Sequence, residues 1–198
     1  MKTTFKLLAT LIALTPCAHA EWKIEKHVDE MTDVISYQLI SSGAAVRSSL
    51  NIQYTPELII ELTPTKCDLT TKKVDYTVRS FFAVDDVIDD SYTAAVRFDK
   101  RPAVDWEFSR STSFRSGFLH EPIRFAREVV NSEKVLIGFQ TFAGFRTTLR
   151  FDASGLSKAC AEVKSKIIGE RHAGVKYIKT KRPPSGIYMP RNQTPATK

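Results

Sequence analysis

Histidine, cysteine and glycine are scarce in these 198 residues, which hold four, three and eight of them. His19, His27, His120 and His172 lie far apart, so no HExxH spacing sets two imidazoles on one helix face to hold a metal. No CxxC pair occurs, which excludes the local dithiol arrangement that activates a thiol. The glycines form neither a phosphate-cradling loop nor a GxSxG elbow. Metal hydrolysis, nucleotide chemistry and the α/β-hydrolase mechanism all lack their local signatures. No cofactor and no metal are expected.

Long apolar runs are missing too. Residues 7–14 (LLATLIAL) are far short of the roughly 20 residues that span a bilayer, so no transmembrane segment is expected. Lys2 and Lys6 precede that run, and Ala18-His19-Ala20 follows it. This is the layout of a secretory signal peptide over residues 1–20, cut after Ala20, which predicts a periplasmic mature chain. Cys17 follows Pro16 where a lipobox needs a small residue, so lipid attachment is not expected.

The formal net charge is +7, unevenly placed. Lys2 and Lys6 leave with the leader, and residues 170–198 carry a net +6, which leaves −1 for residues 21–169. A nucleic-acid-binding domain carries its basic charge on the folded surface, so nucleic acid is not an expected partner. The basic residues are Arg171, Lys176, Lys179, Lys181, Arg182, Arg191 and Lys198, interspersed with Pro183, Pro184, Pro190 and Pro195. Such a stretch buries too little apolar surface to order itself. It predicts a disordered tail over 170–198 that binds anionic envelope polymers or lipid headgroups, apart from a short strand near 175–178. Cys67 and Cys160 survive processing, and an even pair in an oxidising compartment predicts a disulfide.

The body, residues 21–169, is dominated by period-two alternation, the mark of half-buried strands. Strands are expected at 34–40, at Leu50-Ile52-Tyr54, and at Leu58-Ile60-Leu62 up to Pro64. Further strands follow over 74–84, 94–98, 135–139 and 145–151, with a polar turn at 85–90 and a hairpin turn at Ala143-Gly144. Helical spacing takes over in 121–131, with Pro122 in its first turn, and in 152–168. In the second helix Asp152 or Ser154 caps the start, and Leu156, Ala159, Cys160, Val163 and Ile167 form an apolar stripe. The predicted fold is mainly β: an antiparallel β-sandwich with a short helix and a C-terminal packing helix.

Chemistry-bearing residues are present without diagnostic spacing. Ser109, Ser111 and Ser113 lie among arginines, with no base or oxyanion donor nearby in sequence. His120-Glu121-Pro122 opens a helix, as a surface histidine often does. The run 85–90 lacks the glycine turn of an EF-hand, and Asp105, Glu107 and Glu121 pair only through tertiary proximity. Trp22 and Trp106 suit a core better than a carbohydrate platform. Arg110, Arg115, Arg124 and Arg127 alternate with Phe108, Phe114, Phe118 and Phe125, a pattern able to stack on bases, but Glu107, Glu121 and Glu128 dilute its charge.

One ordering of short motifs is familiar. Trp22 is followed by Asp29-Glu30-Met31-Thr32-Asp33, then by Pro56-Glu57-Leu58-Ile59-Ile60 and Val96-Arg97-Phe98-Asp99. Trp106 with Ser109 and Ser111-Thr112 comes next, and Phe151 with Gly155-Leu156 precedes Cys160. Over about residues 22–165 this resembles the periplasmic VasI/TagO-type proteins associated with type VI secretion, and their phage and prophage relatives. The resemblance implies a β-rich fold without enzymatic activity or cofactor. Together these readings predict a non-catalytic exported accessory or binding protein with an envelope protein or anionic envelope polymer as partner. Two rivals remain: a periplasmic inhibitor, immunity or exclusion protein acting on an envelope enzyme or receptor, and an envelope hydrolase whose site is assembled from distant residues.

Overall fold

A computed structural model describes residues 21–48, 50–89 and 93–175. The expected leader, and tail residues Lys176, Lys179, Lys181, Arg182, Arg191 and Lys198, lie outside the described residues. The chain runs through β1 (Lys23–Asp29), β2 (Val34–Ser42), β3 (Val46–Arg47), β4 (Gln53–Tyr54), β5 (Glu57–Asp68) and β6 (Lys73–Ala83). It continues through β7 (Thr93–Phe98), β8 (Val104–Arg110), β9 (Ser116–Leu119), α1 (Pro122–Val130), β10 (Lys134–Gln140), β11 (Arg146–Asp152) and α2 (Leu156–His172).

Nine of these strands form one antiparallel sheet in the order β1-β2-β5-β6-β9-β8-β7-β10-β11, while β3 and β4 make a separate ribbon. Alternation places Leu58, Ile60, Phe82, Val96, Phe108, Ile137 and Leu149 in one core. The sheet folds over that core. Phe82 of β6 meets Phe139 of β10 across the interior, with ring centroids 5.5 Å apart. Near the fold-over seam the Ser41 hydroxyl donates to the Asp152 carbonyl (2.9 Å), and the Ala44 amide to the Arg150 carbonyl (2.9 Å). The architecture is therefore the expected β-sandwich, its two halves continuous through β9.

Each helix buries one face against this core. In α1, Phe125 packs edge-on against Trp106 (5.4 Å) and at a tilt against Phe98 (5.6 Å). In α2, Leu156, Ala159, Val163 and Ile167 are buried as the sequence predicts, and Lys26 of β1 meets Glu170 at 2.9 Å. The start of α2 differs from expectation. Gly155 takes the N-cap position with φ 86°, while the Asp152 carboxylate accepts from the Ser154 amide and hydroxyl just before it. The end differs too. The helix runs to His172, past the expected boundary at 169, so Arg171 belongs to its last turn rather than to the tail and donates to the Val175 carbonyl (3.1 Å).

Three strand expectations need correction. Leu50 and Ile52 are exposed in the β3–β4 turn around Asn51 (φ 62°), and only Tyr54 of that trio is buried. β1, β8 and β9 were not expected at all: β1 and β8 are charged on one face, and β9 is only four residues long. Finally, β5 does not stop at Pro64. It continues through a bulge between Pro64 and Lys66, the irregularity that lets a proline persist within a strand. The extra residue reverses the alternation. Cys67 thereby stands opposite Val74, on the inward side with Leu58, Ile60 and Leu62.

Candidate functional site

The β8–β9 hairpin assembles what the sequence scattered. Glu107 and Ser109 point to the outer face of β8, opposite buried Trp106 and Phe108. His120, just past β9, is tied beside them by its amide donating to the Glu107 carbonyl (3.1 Å). Ser109 Oγ lies 2.6 Å from His120 Nε2, and His120 Nδ1 lies 3.4 Å from Glu107 Oε2. This is the order of a hydroxyl, a base and an orienting carboxylate. The sequence supplied the residue types but not the contact, because the pairing joins positions eleven and thirteen residues apart through a hairpin.

Its surroundings limit its chemistry. Ser109 is a ladder residue opposite Phe118, and β9 pairs on both edges, with β8 and β6, which commits its amides to the sheet. An acyl-transfer site needs such amides aimed at the oxyanion. His120 and Glu107 are exposed, so their ion pair is worth little. Behind them runs a polar row: Arg79 contacts Glu61 at 3.5 Å and stacks over Phe118 at 5.1 Å, and Gln38 donates to Glu61 (3.3 Å).

The other sequence candidates scatter. Trp22 and Trp106 are both buried, and Trp22 donates to the Ser154 carbonyl (3.0 Å), so neither offers a face to a sugar. Glu121 pairs with Arg124 (2.6 Å), whose guanidinium lies 4.8 Å over Trp106. Phe108 and Phe125 are core residues, so the run of alternating arginines and phenylalanines forms no continuous surface. Asp86 accepts from the Val87 amide in the 85–90 turn, as a turn aspartate does.

The expected Cys67–Cys160 bond is not formed here: both residues are free, half-buried thiols. The bulge and the α2 stripe nevertheless bring both to Tyr76. Burial first, then the charges of Cys160 and Cys67, push the Tyr76 phenol up to about 12. Burial also raises the Cys160 thiol. Tyr54 is likewise pushed up to about 12, by burial and then by Asp86 and Asp85. A phenol whose folded pKa exceeds its unfolded value of 10.0 adds stability in full below pH 10 and loses it as the pH rises toward 12. Melting temperature is expected to hold up to about pH 10 and then fall. Tyrosinate absorbance of the folded protein should show two phenols silent at about pH 11, and full titration of all phenols there would contradict this.

One end of the sandwich is apolar. The C-terminal ends of β2, β6, β8 and β10 and the N-terminal ends of β5, β9 and β11 meet there, and the described loop residues at this end are 43–48, 50–56, 84–89, 111–115 and 141–145. Three of these loops are stitched together: the Phe142 amide donates to the Val87 carbonyl (2.9 Å), and the Ile88 amide to the Phe114 carbonyl (2.9 Å). Leu50 (79% exposed), Ile52, Val87, Phe114, Phe142 (71%) and Phe145 all project from the four loops. Charges of both signs surround these side chains. Arg110 stacks on Phe114 at 4.2 Å, and Arg115 lies 3.7 Å from Asp85. Nothing local marks this end in the sequence, because the side chains are divided among four loops far apart along the chain. No protein-family model, curated protein or solved structure matches this chain.

Proposed function

We propose that the chain is a non-catalytic exported binding protein that docks a protein of the cell envelope through its four-loop end. The observation that carries this reading is the gathering of Val87, Phe114, Phe142 and Phe145 on three loops hydrogen-bonded to one another, with Leu50 and Ile52 on a fourth loop at the same end. Exposed apolar side chains that cluster mark interaction sites, whereas scattered ones do not. The mixed charge around them (Arg110, Arg115, Asp85, Asp89) suits a protein better than a uniformly anionic polymer. The leader-like start, the β-rich fold and the resemblance to type VI secretion-associated proteins support an envelope location and an accessory role. Site-specific photo-crosslinking tests it. A crosslinker at Phe145 or Phe114 is expected to trap an envelope protein, and one at Leu69, beyond the far end of β5, is not; equal trapping from both ends would defeat the reading.

Within this reading, the Cys67 and Cys160 thiols form one disulfide by exchange with the disulfide of an envelope oxidoreductase, which leaves as the dithiol, clamping α2 to β5. The basic residues from Lys176 to Lys198 add an electrostatic tether to anionic polymers or headgroups, each worth about 1 kcal/mol near such a surface. An inhibitor or immunity protein would use the same loop end, with an enzyme or receptor as the trapped partner.

A second reading rests on the contact between Ser109 and His120. It makes the chain a serine hydrolase of the envelope, with Glu107 orienting the base. A fluorophosphonate probe separates the two. No labelling of the mature protein is expected; labelling that Ser109→Ala abolishes would replace the binding reading with this one.

A further inference from the structure

A cleft of about 610 Å³ lies beside the seam, walled by Ser42, Gly43 and Ala44 and floored by β7, β10 and β11. The wall is close-set. A Cβ on Gly43 would come within 2.8 Å of the Arg150 carbonyl oxygen and 2.9 Å of the Phe151 ring, so only glycine lets the β2 exit lie this near β11.

The floor is arranged by register. Arg97 stands opposite Leu136, and Leu136 opposite Arg150, so the two arginines flank one leucine in a single cross-strand row on the outer face. Two strand spacings put their Cα atoms about 10 Å apart. Side chains as long as arginine, starting from such positions, are able to reach one group placed above Leu136. Lys134 stands one row away, opposite Asp152.

The cations here are not neutralised in the usual way. Among the described residues, neither guanidinium makes an ion pair or hydrogen bond. The two carboxylates in the cleft accept from neighbouring amides, and Asp152 from the Ser154 hydroxyl as well. Asp99 Oδ1 accepts from the Glu133 and Lys134 amides, both at 2.9 Å, and Asp152 Oδ1 from the Ser154 amide at 2.9 Å. A pair of unpaired guanidinium forks across an apolar floor suits a planar or tetrahedral oxyanion attached to an apolar body.

We infer that this cleft is a ligand site for an anionic small molecule or chain end, its carboxylate or phosphate held between Arg97 and Arg150 and its apolar portion lying on Leu136. The site lies at the seam, at the start of the 43–56 loop and away from the exposed apolar side chains, and does not depend on the docking reading.

Titration of the mature protein with inorganic phosphate and, separately, with acetate, followed by amide NMR, tests the inference. Saturable shifts are expected at Leu136, Gly43 and Ala44. Arg97→Gln and Arg150→Gln should each weaken binding at least tenfold, with the melting temperature unchanged because both side chains are exposed. Saturation by phosphate alone assigns a phosphate ligand, and saturation by acetate assigns a carboxylate; either supports the site. Shifts that do not saturate with either anion, or saturation that survives both substitutions, would overturn it.

Discussion

With the proposed Cys67–Cys160 bridge in place in exported, oxidised protein, replacing Cys160 by serine is expected to lower stability by about 4–5 kcal/mol. Crosslinking residues 67 and 160 removes the loop-closure entropy of more than ninety residues from the unfolded chain, for which that magnitude is the chain-entropy value. For a domain of this size it corresponds to a melting-temperature drop of about 10 °C or more. Cys67→Ser should match it, and a reducing agent should bring the wild type down to the level of both. That equality matters, because a lost side-chain contact would differ between the two positions whereas a lost crosslink would not. Burial raises the Cys160 thiol and slows its alkylation in the folded state, so thiols must be counted after denaturation without reductant. Two alkylated cysteines in that count would end the idea of a bridge.

The second large effect is on binding. Phe142→Asp combined with Phe145→Asp should weaken capture of the envelope partner by a hundredfold or more, since two aromatic anchors at about 2 kcal/mol each exceed that factor even when they are not additive. Both rings already face solvent at the β10–β11 turn, so thermal stability should change by no more than about 0.5 kcal/mol. The turn itself is set by Gly144 at φ 81°, which the substitutions leave alone. A partner retained at full affinity by the double variant would move the docking surface elsewhere. Truncation after Val175 offers a contrast: it should keep the protein partner and lose sedimentation with anionic vesicles.

Much of the fold was legible because burial on one side of a strand writes itself into adjacent residues. Ala94, Val96 and Phe98 alternate with exposed positions, and the sequence marks β7 without knowing its neighbours. The Leu156, Ala159, Val163 and Ile167 stripe likewise locates α2. The candidate sites were less legible. Ser109, His120 and Glu107 are unremarkable neighbours of charged residues until β8 and β9 pair. Pro64 was read as an end when it marks a bulge, and that one residue decides which side of the sheet Cys67 occupies.

The chain's sequence by itself determined the alternation of its strands, the two helical stripes, the segregation of basic charge beyond residue 170 and the absence of local catalytic motifs. These are properties of neighbours along the chain, set by side-chain period and composition. Tertiary structure alone decided that Phe114, Phe142 and Leu50 share one end, that Arg97 and Arg150 flank one leucine, and that both thiols pack against the same core. Each of these depends on strand register and on the folding-over of the sheet, and a pairing between distant strands leaves no periodic trace in either of them.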